Sequence, residues 1–219
     1  MMKLIPSAAR RSLALAALLL AATALCFAGK QFVMPRAQPA TSYPAHDEHP
    51  NERLAVAVDP YDMDDKAKLF TVRFSDIGFM PVFVVVTNDG DQPVQLADVK
   101  AQLVTVNRTK LSPAVEDDIE RRLARPNASA RPSPLPIPTR KVKGGVSPQT
   151  RDEIQNAMFS ARAVEPHSSQ SGFMFFDVAG ISSPLAGAHF YLTGVRDSKD
   201  NEMMYFEVAL EKYLSAPGK

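Results

Sequence analysis

Four histidines are the first places to look for chemistry. His46 and His49 flank Asp47 and Glu48, and on a helix a His-x-x-His pair with acids grips a divalent metal. Pro44 and Pro50 bracket this motif, which excludes a helix and favours a solvated linker. His167 stands among Glu165, Pro166, Ser168 and Ser169, and a His–Ser pair could begin nucleophilic hydrolysis. The Gly-x-Ser-x-Gly elbow is absent, however, and Gly180-Ile181-Ser182-Ser183-Pro184 does not form one, so turn chemistry is the better reading. His189 alternates with Tyr191 on one face of an expected strand and reads as a sheet residue. Asp64-Asp65 and Asp117-Asp118 are adjacent pairs; neighbours point apart, so they read as caps or solvated faces rather than an acid–base pair. Met174, Met203 and Met204 could suggest copper(I), but consecutive strand residues face opposite sides, so Met203 and Met204 cannot chelate together. No P-loop, dinucleotide fingerprint, EF-hand loop or zincin helix occurs. The expectation is a chain that is not an enzyme, with no catalytic residue, cofactor or metal. One alternative stays open: a hydrolase or small-ligand carrier using convergent groups such as His167, Asp177 or Glu153.

Charge gives a second kind of candidate site. Residues 121–145 hold seven basic residues, Arg121, Arg122, Arg125, Arg131, Arg140, Lys141 and Lys143, and no acid. Residues 46–65 hold seven acids, Asp47, Glu48, Glu52, Asp59, Asp62, Asp64 and Asp65, against Arg53 alone. The basic stretch could dock on an anionic surface or an acidic envelope protein; the favoured reading is a solvated excursion partly neutralised by the acidic stretch. No aromatic residue interleaves the basic ones, which argues against nucleic acid.

The elements that must position these residues are set by composition and targeting. The chain has 219 residues, 25 Lys+Arg against 24 Asp+Glu, 45% hydrophobic residues and a single cysteine. That is globular composition with no global charge to draw it to nucleic acid. The first 28 residues read as a secretory signal: Lys3, Arg10 and Arg11 precede the uncharged stretch from Ser12 to Ala28, with Cys26-Phe27-Ala28 before a cleavage site at Gly29. The alternative is an uncleaved inner-membrane anchor through residues 12–28. Cleavage leaves 191 residues without cysteine, held together by their core alone in the periplasm or outside the cell. Residues 29–52, with Pro35, Pro39, Pro44 and Pro50, read as an extended tether.

The domain is expected over 53–214 and is mostly strands. Leu54–Val58 and Leu69–Phe74 alternate. Pro81–Thr87 is apolar throughout, as in a strand buried on both faces, and ends at the turn signal Asn88-Asp89-Gly90-Asp91. Val94–Leu96, Val99–Val106, Gly172–Val178 and Ala188–Val195 follow, and Glu202–Leu210 sets Met204, Phe206, Val208 and Leu210 inward. Between the two sets lies an insertion, 112–165. Ser112-Pro113 opens one helix with the stripe Val115, Ile119 and Leu123. A Pro-rich loop follows, and Thr150 with Glu153 forms a capping box for a second helix. Asn107 and Asn127 stand in glycosylation sequons.

Phe83-Val-Val-Val-Thr-Asn-Asp-Gly-Asp-Gln-Pro-Val-Gln-Leu96 resembles the strand–turn–strand of immunoglobulin-like domains in bacterial envelope proteins. Pro166-His-Ser-Ser-Gln-Ser-Gly-Phe-Met-Phe-Phe-Asp177 resembles their later polar loop and apolar strand. The chain is thus similar to secreted bacterial proteins with such a domain, and the insertion 112–165 departs from their pattern. The resemblance implies a mainly β fold: an immunoglobulin-like antiparallel β-sandwich with a two-helix insertion. It implies no catalytic residue. The expected role is an exported binding or accessory module of the cell envelope.

Overall fold

The computed structural model describes residues 31–125 and 146–216. The chain divides into two compact units, Met1–Phe32 and Val33–Lys219, and every described strand and helix belongs to the second. The expected signal 1–28, the sequon at Asn127 and the basic residues Arg131, Arg140, Lys141 and Lys143 lie outside the described residues. Among the described residues no helix is long and apolar enough to cross a membrane.

The fold is mainly β and antiparallel throughout its sheets. Its strands are β1 (His46–His49), β2 (Leu54–Pro60), β3 (Phe79–Asn88), β4 (Val94–Gln95), β5 (Lys100–Val104), β6 (Lys110–Leu111), β7 (Ala163–Val164), β8 (Ser168–Asp177), β9 (His189–Thr193) and β10 (Phe206–Ala209). Its helices are α1 (Asp64–Ala67), α2 (Glu116–Ala124), α3 (Pro148–Ala157) and α4 (Glu211–Leu214). One sheet runs β1-β2-β3-β8, a second β10-β9-β5-β6, and β4 pairs with β7.

All ten residues of β3 are buried, as its apolar run requires. Its even-numbered residues Met80, Val82, Val84 and Val86 join Leu54, Val56 and Val58 of β2 and Met174 and Phe176 of β8. Leu103, Phe190, Leu192, Phe206 and Val208 of the second sheet complete that core. The strand ends where Asn88 folds back on itself: its Oδ1 accepts from Gly90 N–H at 2.9 Å, and its Nδ2 donates to Gln92 and Val164 carbonyls.

The odd-numbered residues of β3 face a separate aromatic layer. Phe83 pairs in register with Phe173; from the β2–β3 connection Tyr61 packs against both, Phe70 against Phe173 and Phe175, and Phe74 against Phe175. Ring centroids lie 4.9 Å apart for Tyr61–Phe173, 4.9 Å for Phe70–Phe173 and 4.7 Å for Phe74–Phe175, within the range where aromatic pairs attract. The insertion borders this layer. Ala114 N–H donates to the Phe175 carbonyl at 2.7 Å, and Phe159 N–H to the Phe173 carbonyl at 2.9 Å. The backbone on either side of α2 and α3 thereby occupies part of the edge of β8 that β3 leaves free.

Several expectations are corrected. Leu69–Phe74 is no strand; it leads into a 3-10 turn at Phe74–Ile77, because Phe70 and Phe74 bury their rings on the sheet instead of pairing backbone. The stretch 29–52 is not only a tether: His46–His49 pairs with β2, Ala40 and Ala45 are fully buried, and Ala40 N–H donates to Thr87 Oγ1. Pro39 and Pro50 accept turn hydrogen bonds from Ser42 and Arg53, so these prolines bend the chain around β1 rather than keep it out of the sheet. Met204 is 69% exposed, and regular pairing starts only at Phe206. Helix α2 begins at Glu116 without a side-chain cap, since Pro113 and Ala114 are engaged on the edge of β8. Helix α3 is capped by Ser147, whose Oγ accepts from Thr150 N–H with Pro148 at the first position; Glu153 does not cap it.

At Gly172 the insertion packs tightly against the sheet. A Cβ there would lie 2.5 Å from the Phe159 Cα, a backbone atom that cannot swing aside. Gly172→Ala is therefore expected to destabilise the fold by about 1–3 kcal/mol, the usual cost of overpacking. Urea denaturation of the two proteins measures it; an unchanged midpoint would contradict the packing.

Candidate functional site

Two connections at one end of the first sheet enclose a cleft. One is the segment 61–78 between β2 and β3; the other follows β8 through Val178, Ala179, Gly180 and Pro184. Tyr61 N–H donates to the Pro81 carbonyl at 2.8 Å, continuing the β2–β3 ladder by one bond before the chain leaves the sheet. Gly78 ends the 3-10 turn at φ +77°, where a side chain would be strained and its Cβ would lie 2.8 Å from that of Ala179. The Gly78 carbonyl accepts from Val178 N–H, tying the two connections together.

The enclosed volume is about 620 Å³. Tyr61, Phe70, Phe74 and Phe79 supply aromatic walls, and Asp62, Asp64 and Asp76 supply the charged groups. Arg73 reaches 3.8 Å from both Asp64 and Asp76 but remains largely exposed.

Two buried anchors hold the segment 61–78. Glu153 of α3 is only 4% exposed, and its carboxylate accepts from Thr71 N–H at 2.8 Å and also from the Thr71 hydroxyl. Tyr213 of α4 is equally buried and donates its hydroxyl toward the Asp62 carboxylate at 2.6 Å and the Pro60 carbonyl at 2.9 Å. A phenol has one proton, so the shorter, charge-assisted contact to Asp62 is the stronger claim on it. Lys66 pairs with Asp59 at 2.5 Å, and its ammonium lies 4.6 Å from the Tyr213 ring centre and 5.5 Å from that of Tyr61. Burial pushes the Tyr61 phenol up to about 12, with the negative charge of Asp59 and the neighbouring Tyr43 adding to it. Burial and then the bond to Asp62 push Tyr213 well above the ordinary phenol range.

The residues singled out in the sequence are dispersed. His46 and His49 lie three apart on β1, so they face opposite sides of the sheet and cannot chelate together. His46 Nδ1 lies 2.6 Å from the Tyr43 carbonyl, and His49 stacks on Phe206 at 4.0 Å. His167 and Asp177 bracket β8, ten residues apart, or about 30 Å at the rise of a strand. His167 pairs with Asp91, Asp177 with Arg122 and Glu153 with Thr71, so the three groups proposed for a hydrolytic or carrier site do not converge. His189 shares Glu207 with Tyr191 on the face of the second sheet away from the core, and the Glu207 hydrogen bond pushes that phenol up to about 12. Among the described residues no group of three His, Cys, Asp or Glu could hold a metal ion.

The basic stretch is only partly described. Arg121 pairs with Asp118 at 2.8 Å. Arg122 is turned inward: its guanidinium meets Asp177 at 2.5 Å, donates to the Ile77 carbonyl and lies over the Phe79 ring. Arg125 follows at the exposed end of α2. Sequence reasoning missed the cleft. The four-residue spacing of Phe70 and Phe74 beside Asp62, Asp64 and Asp65 was its one signal, and it looked like a strand next to a solvated acidic face.

No protein-family model matches the chain, and no curated protein or solved structure is similar enough to match it.

Two outcomes test the anchors. Glu153→Ala strands both Thr71 donors and is expected to cost about 1–3 kcal/mol in urea denaturation, with Glu153→Gln recovering part of it. The raised Tyr61 phenol favours the folded state below its unfolded value of about 10, and this contribution is lost as the pH rises through about 12. An alkaline tyrosinate titration is expected to lose a transition near 12 in Tyr61→Phe; loss of one near 10 instead would contradict the burial.

Proposed function

We propose that the chain is an exported, non-enzymatic binding or accessory module of the cell envelope, built on an immunoglobulin-like sandwich, with the cleft as its contact site. The cleft carries this reading. It offers apolar and aromatic walls with a few polar groups, the usual make-up of a binding site. Function on such folds varies in their connections, and both walls of the cleft are connections on a paired sheet.

Strand order supports the finer fold assignment. On this reading β2, β3 and β8 take the places of the A, B and E strands of an immunoglobulin-like domain, and β5, β9 and β10 those of C, F and G. The chain passes between the sheets after β3 and again after β8, as in a Greek key. The apolar stretch 12–28 supports export to the periplasm or beyond, with an uncleaved inner-membrane anchor as the alternative. The basic stretch is the weaker contact surface, because Arg122 already has its anion in Asp177.

A photoreactive amino acid at Ser75, an exposed lining residue, tests the reading in the native host, with Lys199 as an exposed control far along the chain. A discrete adduct, seen as a crosslinked band or a mass increment, is expected at position 75 and not at 199. The same adducts at both positions, or none at 75, would sink it.

A further inference from the structure

We propose that the cleft takes a small organic cation, an ammonium or guanidinium group carried on an apolar or aromatic body. This rests on the cleft being a binding site and adds the class of its occupant. The volume of about 620 Å³ falls within the range of small-molecule sites, roughly 300–1,000 Å³. Tyr61, Phe70, Phe74 and Phe79 contribute four aromatic rings to the lining. Phe70, Phe74 and Phe79 are at most 5% exposed and give the cleft its apolar character, while half-buried Tyr61 is the ring that a positive charge can meet.

The charge of the lining selects the sign. Asp62, Asp64 and Asp76 line the cleft, and no Lys, Arg or His does. An anionic ligand would meet three carboxylates and no lining cation. Arg73 is a counter-charge to Asp64 and Asp76, but its 3.8 Å contacts are long and its side chain is 71% exposed, so it competes weakly; Lys66 and Arg122, which lie against the Tyr61 and Phe79 rings, are already paired with Asp59 and Asp177. The wall already works this way within the chain, where the Lys66 ammonium lies over the Tyr61 ring. A peptide strand finds little backbone to pair with. The lining residues Phe79, Met80 and Pro81 belong to β3, which is paired along its whole length with β8; on its other edge the pairing with β2 covers Val82–Asn88 and the Tyr61 N–H extends it to Pro81, which leaves room for one residue pair at most. A compact cation held by its side groups fits better than an extended segment.

Three probes of one shape and different charge test this: phenethylammonium, phenethyl alcohol and phenylpropionate. Each is titrated into the full ¹⁵N-labelled chain while the amides of the lining residues Gly78 and Gly180 are followed by NMR. Phenethylammonium is expected to shift both glycines and to bind about tenfold tighter than the alcohol, with phenylpropionate leaving them unmoved. In a double variant, Asp64→Asn with Asp76→Asn, the ammonium is expected to fall to the affinity of the alcohol, and Arg73→Gln is expected to raise it. All three positions are exposed, so these variants keep the fold. Equal binding of ammonium and alcohol at the two glycines would overturn the cation and leave the cleft as a binding site. Unmoved glycines with all three probes would also overturn the cation, and the adduct at position 75 then decides the fate of the cleft independently.

Discussion

The fold depends on the burial of β3 on both faces. A strand with ten buried residues in a two-layer protein would leave one face wet, so its outward side must find a cover. The connection 61–78 supplies that cover with Tyr61, Phe70 and Phe74, and the insertion borders it through Phe159 and Ala114. The cleft is a by-product of this arrangement. Where the cover meets the end of the sheet, between Phe79 and Gly180, the rings are too few to fill the space.

Charge holds the cover down at its margins. Asp177 ends β8 and meets Arg122 of α2; Glu120 of α2 meets Arg151 of α3; Glu153 on α3 reaches the backbone of Thr71. The acids and bases that the sequence segregates into separate stretches are partly spent on one another. The near-zero net charge of the chain therefore describes an internally paired surface as much as a weak external field. Asp62 is tied to Tyr213 in the same way, while Asp64 and Asp76 meet Arg73 in a loose contact.

The strands were legible where the pattern was regular and paired in place. The apolar run at Pro81–Thr87, the turn at Asn88–Asp91 and the alternation of Phe190 with Leu192 all read directly. Reading failed where side chains bury without their backbone joining a sheet. Phe70 and Phe74 alternate with polar residues as a strand would, yet they serve the aromatic layer from a turn. It failed in the opposite direction at His46–His49, a charged segment that pairs with β2 because its neighbours Ala40 and Ala45 are small enough to be buried beside the sheet. The role of Glu153 was hidden for a third reason. Its position suits a helix cap, and only the path of a segment some eighty residues earlier in the chain, at Thr71, draws it inward.

The pairing of β3 with β8 has a consequence for the order of events in folding. Asn88 pairs with Ser168 and Phe79 with Asp177, so the strand with the largest apolar surface waits for a partner that lies 80 to 98 residues further along. Such contacts close slowly, because the loop entropy is lost before the contacts form. A chain that emerges N-terminus first presents β1, β2 and β3 as a three-stranded sheet with one long hydrophobic edge open. That edge is a template for self-association until β8 arrives. The nascent first half therefore carries an exposed pairing edge for as long as β8 is missing, a vulnerability that the finished molecule no longer has.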